Sequence, residues 1–197
     1  MDFNQFTKDV HINAVEHGWW DENRSAGEII ALCHSEISEA LEEYRAGRPM
    51  AYVFDYNADD CPVMETRLEF FGDKKPEGIA VELADVVIRC LDWFGKMGIN
   101  AHDLLNEAIG GERRLSDFPI YRVEGFGEFI SELHLALSLA HRCWCNASGI
   151  YSTALRMAVC CTMIFAWADD NGIELEKILH IKHEYNKGRP YKHGKVM

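Results

Sequence analysis

Apolar residues recur at helical spacing over most of this chain. The pattern predicts helices over about residues 3–17, 25–45, 77–97, 101–109, 125–145, 149–170 and 174–187. Local signals mark several ends. Ser25 with Glu28 three residues on has capping-box spacing ahead of "IIALC". Gly47 and Pro49 stop that helix, and "KKPEG" opens the next with Pro76 in its first turn. Between them, 48–76 breaks the pattern. Its "AYVFDY" and "TRLEFF" are β-prone and flank turn residues, which suggests a small hairpin. The stretch 110–124, with its Gly, Arg, Asp and Pro119, reads as a linker. The fold class is all-α, in a single domain over 1–197.

The pattern also repeats. Shifted by 100 positions, "CHSEISEAL" (33–41) lies over "LHLALSLAH" (133–141), with His34 on His134 and Ser38 on Ser138. Shifted by 74, "ELADVVIRCLDWFGKMGINAHDLL" lies over "RMAVCCTMIFAWADDNGIELEKIL", with Trp93 on Trp167 and Gly98-Ile99 on Gly172-Ile173. Each half is then a helical hairpin, and two hairpins make a bundle. The halves differ chemically. Glu36 and Glu39 fall on Ala136 and Leu139, and Glu82 and Asp85 on Arg156 and Val159. The first half, about 1–110, keeps carboxylates that the degenerate half, about 125–181, lacks.

Helical geometry groups those carboxylates. In 29–44, Glu36, Glu39 and Glu43 fall within about 60° along the edge of the apolar stripe, and Glu42 points outward. The helix "IAVELADVVIRCLDWF" is apolar nearly all round, which marks it as buried. Its polar residues, Glu82, Asp85, Arg89 and Asp92, share one band of about 80°. Buried carboxylates are costly unless paired or metal-bound, and one arginine cannot neutralise them all. A lone E-x-x-E motif is commonly just a solvated face. Two such motifs on packed helices, with residues at i and i+3 on one face, make a hard-oxygen site for Mg²⁺, with Mn²⁺ as the alternative.

Composition narrows the partners. The net charge is −12, which argues against nucleic acid but leaves room for a nucleotide bridged by a divalent cation. No run approaches the roughly 20 apolar residues of a membrane span, and the N-terminus lacks a signal-peptide pattern. The seven cysteines sit in apolar runs, which suggests buried free thiols in a cytoplasmic protein. A zinc reading of His141, Cys143 and Cys145 with Cys160-Cys161 has the wrong spacing for a knuckle. A di-iron reading fails too, since "EFISELH" (128–134) has Glu132 and His134 at the wrong spacing.

E-x-x-E on one helix followed by E-x-x-D on the next resembles the MazG-like all-α nucleotide pyrophosphohydrolases, the group of MazG proteins, dimeric dUTPases and dCTP pyrophosphatases. The resemblance covers about 25–110 through "HSEISEALEEYR" and "KPEGIAVELADVVIR", and "KHEYNKGRPYKHGK" (182–195) is similar to a tail of MazG-like members. One departure is the 42 residues between Glu39 and Glu82, longer than the family's usual connection. The resemblance implies Mg²⁺ held by Glu36, Glu39, Glu82 and Asp85. It implies hydrolysis of an NTP or dNTP to the monophosphate and pyrophosphate. Glu39 is one candidate for orienting the attacking water. The resemblance also implies a homodimer, and the duplicated arrangement of dimeric dUTPases, where one half keeps the ligands, matches the degenerate second half.

Candidate substrate groups flank the motifs. Lys182, Asn186 and Arg189 share one face of the last helix, and Tyr191, Lys192, His193 and Lys195 follow. They are donors for phosphates, or else a disordered basic tail. Trp19 and Trp20 are candidates for base stacking, with core packing the commoner fate. Asn23 and Arg24 are candidates for base edges or phosphate. His34 reads as a satisfied core histidine. The competing functional class is a non-catalytic helical protein that binds nucleotide or a partner and uses the acidic track for assembly.

Overall fold

The computed structural model describes residues 1–56, 61–110, 125–146 and 149–194. Among them the chain forms α1 (Phe3–Glu16), α2 (Ala26–Arg45), β1 (Val53–Tyr56), β2 (Pro62–Glu65), α3 (Ile79–Met97), α4 (Ala101–Ala108), α5 (Phe126–Cys145), α6 (Ile150–Asp170) and α7 (Leu175–Lys187). It is an all-α fold with one small antiparallel hairpin. The capping box of α2 forms as expected, with Ser25 and Glu28 each bonding the other's backbone N–H. The expected linker 110–124 lies almost wholly outside the described residues, as does Lys195.

The hairpin corrects the sequence reading in its second strand. "PVME" pairs with "VFDY", placing Val53 opposite Glu65 and Tyr56 opposite Pro62. "TRLEFF" instead turns through a short 3-10 segment, Leu68–Phe70. Pro62 can sit in β2 because this two-stranded sheet is all edge. Pro76 is not in the first turn of α3. That helix starts at Ile79 after an N-cap Gly78 at φ 115°. A Cβ on Gly78 would stand 2.8 Å from the carbonyl oxygens of Pro49 and Met50. Glycine therefore lets the end of the excursion close against α3.

The two halves repeat in space as they do in sequence. α2 packs on α3, α5 on α6, and the hairpins join along α2–α5 and α3–α6. At the α2–α5 seam His34 Nδ1 lies 2.7 Å from His134 Nδ1. The ring centroids are 5.0 Å apart and the planes 14° from parallel. That separation is too long for a face-to-face stack with so short an N···N distance. The rings meet edge to edge, one nitrogen donating to the other. Ser38 and Ser138 each donate to the carbonyl of their own histidine, at 2.9 and 2.8 Å. Gly98 and Gly172 both take φ 66°, and Ile99 and Ile173 each donate back to the preceding helix, at 3.0 and 2.9 Å. The third helix of each half then crosses over. α4 packs on α6, and α7 packs on α3. This crossing brings the basic C-terminal helix to the acidic helix.

Two expectations about the interior change. α6 is long and apolar enough, by length and composition, to cross a membrane, against the expectation that no stretch is. More than half of that window is buried within the bundle, as befits a core helix. Of the free cysteines, Cys33, Cys90, Cys160 and Cys161 are buried, whereas Cys61 and Cys145 are exposed. His141, Cys143, Cys145 and the Cys160-Cys161 pair form no converging ligand group among the described residues.

Candidate metal centre

α3 is buried along its length, and its acidic track meets α2 on one side and α7 on the other. Glu36, Glu82 and Asp85 each offer a carboxylate oxygen, and the three atoms lie within 4.8 Å of one another. Glu36 and Glu82 are buried, 6% and 8% exposed, so water does little to screen them. Convergent hard oxygens with so little solvent fit a divalent cation. Glu39 stands at the rim. It is exposed, accepts from the Ser35 hydroxyl at 3.2 Å, and is close enough for its charge to act on Glu36 and Glu82. Glu43 accepts from the Tyr52 hydroxyl at 3.1 Å, which ties the excursion to α2.

The track is neutralised from within the protein. Arg89 donates to Glu36, its Nε at 3.0 Å. Lys182 reaches Asp85 at 2.9 Å with only 4% of its side chain exposed. Burial pulls the Lys182 ammonium down, but Asp85 and Glu82 outweigh it and hold the group above its ordinary value. Asp92, two turns beyond Asp85, accepts from the Trp20 indole at 2.8 Å and pairs with His11 at 2.7 Å. Burial leads in raising the Asp92 carboxyl above the usual range. Among the described residues Glu82 has no such bonded partner of its own. Burial, reinforced by the charges of Asp85, Glu36 and Glu39, pushes its carboxyl up to about 8.

That value carries a sign. A carboxyl whose pKa is raised on folding stabilises the fold fully below its ordinary range, and the contribution is lost as pH rises through the folded value. The metal-free protein is therefore expected to lose stability in chelator as pH rises from about 4.5 to about 8, and to level off above that. Glu82→Gln removes part of that slope. Denaturant melts of the two proteins across the range measure the difference, and parallel curves would contradict the burial of an ionisable Glu82.

Several predicted substrate residues line one narrow cavity beside this centre. Trp19, Arg24, Asn186 and Arg189 line it together with Asp85 and Arg89. Its volume is about 80 Å³. Arg24 lies 4.8 Å over the Trp19 ring, and the Asn186 Oδ1 is buried with no partner among the described residues. Other residues are placed differently from the sequence reading. Trp20 is bonded to Asp92 and has Lys96 over its ring. Asn23 is exposed on the loop. Lys182 does not extend to solvent as part of a basic tail. The crossing of α7 over α3 buries it. The segment after α7 folds back on the chain instead of trailing. Tyr191 donates to Asp21 at 2.6 Å, Lys192 N–H donates to the His17 carbonyl at 2.9 Å, and Lys192 Nζ lies 3.7 Å from Glu22. Gly18, at φ 75°, permits this, because a Cβ there would collide with the Tyr191 ring. Sequence reasoning missed His11. Its only signal was a histidine on the apolar side of a helix, which does not reveal a partner 81 positions away.

The fold and site together define an all-α bundle with a buried carboxylate centre in one of two similar halves. No protein-family model, curated protein or solved structure matches the chain.

Proposed function

We propose that this protein is a Mg²⁺-dependent nucleotide pyrophosphohydrolase of the MazG-like kind its motifs resemble. It converts an NTP or dNTP to the monophosphate and pyrophosphate, as a cytoplasmic homodimer that cleans the nucleotide pool. One observation carries the reading: Glu36, Glu82 and Asp85 converge within 4.8 Å on two packed helices. These three would hold Mg²⁺, or Mn²⁺, with Glu39 at the rim. The bound cation would neutralise triphosphate oxygens and lower the pKa of a coordinated water.

The protein's own groups have separable tasks. Arg89 fixes the Glu36 carboxylate and Lys182 that of Asp85, so both are pre-aimed. Glu82 must give up its proton to become a ligand. Arg24 and Arg189, on the wall of the adjoining cavity, are donors for phosphate oxygens. Sites for small ligands usually span 300–1,000 Å³, so a nucleotide enters only when this cavity widens. The segment 17–24 and the stretch after α7, joined by Tyr191 and Lys192, are the parts placed to move.

The test is a nucleotide panel. With Mg²⁺, the purified protein should release pyrophosphate from at least one canonical or modified NTP or dNTP. No release from any of them at high enzyme concentration sinks the proposal. A second reading draws on Arg89 and Lys182, which already neutralise two of the three carboxylates. A track satisfied from inside suits a non-catalytic protein that binds nucleotide or a partner. Calorimetry with Mg²⁺ separates the two, because only the first requires stoichiometric, carboxylate-dependent binding.

A further inference from the structure

The cavity beside the metal centre runs along α3. Asp85, Arg89 and Asp92, at i, i+4 and i+7, share the helix face that walls it. Asp85 belongs to the carboxylate trio. Asp92 lies seven residues further on, a rise of about 10 Å. A nucleotide spans a comparable interval between its α-phosphate and the far edge of its base. Val10, Ala14, Ile29 and Ile88 give the cavity an apolar lining suited to a flat ring, and Trp19 adds an aromatic face. Of the guanidinium groups there, Arg89 is committed to Glu36, and Arg24 and Arg189 are the phosphate donors.

Asp92 is held as an acceptor. Its Oδ1 meets both His11 Nδ1, at 2.7 Å, and the Trp20 indole N–H, at 2.8 Å. Among the described residues its Oδ2 receives just the longer arm of the indole contact, at 3.1 Å. A carboxylate oxygen offers two lone pairs, so Oδ2 keeps acceptor capacity. His11 and Trp20 do not line the cavity, whereas Asp92 does, with 14% of its side chain exposed. α7 brings two more polar atoms to the lining. Asn186 Oδ1 and His183 Nε2 have no partner among the described residues, although the two residues are only 8% and 3% exposed. Buried polar groups in folded proteins are paired with few exceptions, so these two point to a ligand in the cavity. An apolar slot with acceptors at its polar positions fits a flat molecule that carries N–H donors on its edge.

We infer, resting on the nucleotide reading of this site but not on turnover, that Asp92 selects the base: the cavity takes a 4-aminopyrimidine or 6-aminopurine nucleotide and rejects its keto counterpart. The amino group donates to the Asp92 carboxylate. A keto oxygen in the same position sets acceptor against acceptor. His11 and Trp20 act as positioning residues, because they aim the carboxylate without lining the cavity. Titration calorimetry on the full chain with Mg²⁺ and the monophosphates CMP, UMP, AMP and IMP tests this, since the proposed reaction consumes none of them. In at least one pair, CMP against UMP or AMP against IMP, wild type should bind the amino member about tenfold or more tightly. Asp92→Asn has an amide that donates as well as accepts, and it should bring that pair to within about threefold. Circular dichroism confirms that the variant is folded; should it not fold, the wild-type comparison decides alone. Binding of none of the four, equal affinity within both pairs, preference for the keto member, or an undiminished gap in folded Asp92→Asn would each overturn the assignment. Failure to release pyrophosphate from any triphosphate overturns the hydrolase reading and leaves base selection standing, whereas equal affinities within both pairs do the reverse.

Discussion

Glu82→Gln is expected to reduce pyrophosphate release by about a thousandfold or more, equivalent to about 4 kcal/mol of lost transition-state stabilisation. The substitution keeps the size of the side chain and removes only its capacity for charge. Among the described residues, Glu82 is the carboxylate of the buried trio with neither an arginine nor a lysine bonded to it. It is therefore the one free to take up a cation without first breaking an ion pair. Mg²⁺ binding followed by calorimetry should disappear with activity. The circular dichroism spectrum should not change, and the fold should be no less stable at neutral pH, because the native carboxyl already prefers its neutral form there. Turnover within tenfold of wild type would place the chemistry elsewhere in the molecule.

Lys182→Met should have the largest effect on stability. The ammonium is buried against Asp85, and removing it strands a carboxylate in a poorly hydrated place. Breaking a buried pair in this way typically costs about 3 kcal/mol or more, which in a chain of this size lowers the melting temperature by about 10 °C. Lys182→Met combined with Asp85→Asn should be less destabilised than the sum of the single changes. Strict additivity would show that the ion pair contributes nothing. A metal-free fold held by Lys182 and a metal-bound fold held by the cation would also differ in their need for the lysine. Mg²⁺ should therefore protect Lys182→Met more than wild type.

Much of this architecture was legible in the chain. Each predicted helix lies within a few residues of an observed one, because amphipathic periodicity and strong end signals acted together. Ser25 with Glu28, and Gly47 after Arg45, are examples. The hairpin was legible as an excursion but not in register. "TRLEFF" has better β propensity than "PVME", yet the short loop after Tyr56 selects the nearer partner. Glu82 and Asp85 were legible because a helix apolar on every other side makes any acidic residue on it conspicuous, and Glu36 because it borders the apolar stripe of α2. Glu39 shares the E-x-x-E spacing with Glu36, but spacing does not report depth, and its side chain stands at the edge of the bundle.

The amino-acid pattern alone determined seven helices, a duplicated hairpin plan and one half in which carboxylates replace apolar residues. These follow from short-range periodicity and from comparing the chain with itself. Only the tertiary structure decided who neutralises whom. Arg89 reaches Glu36 across 53 positions, Lys182 reaches Asp85 because α7 crosses onto α3, and His11 and Trp20 converge on Asp92. The same crossing turned a presumed basic tail into a buried counter-charge. A helix's own sequence records which face is apolar. Which charged residue that face meets depends on how the helices cross, and no local pattern encodes that.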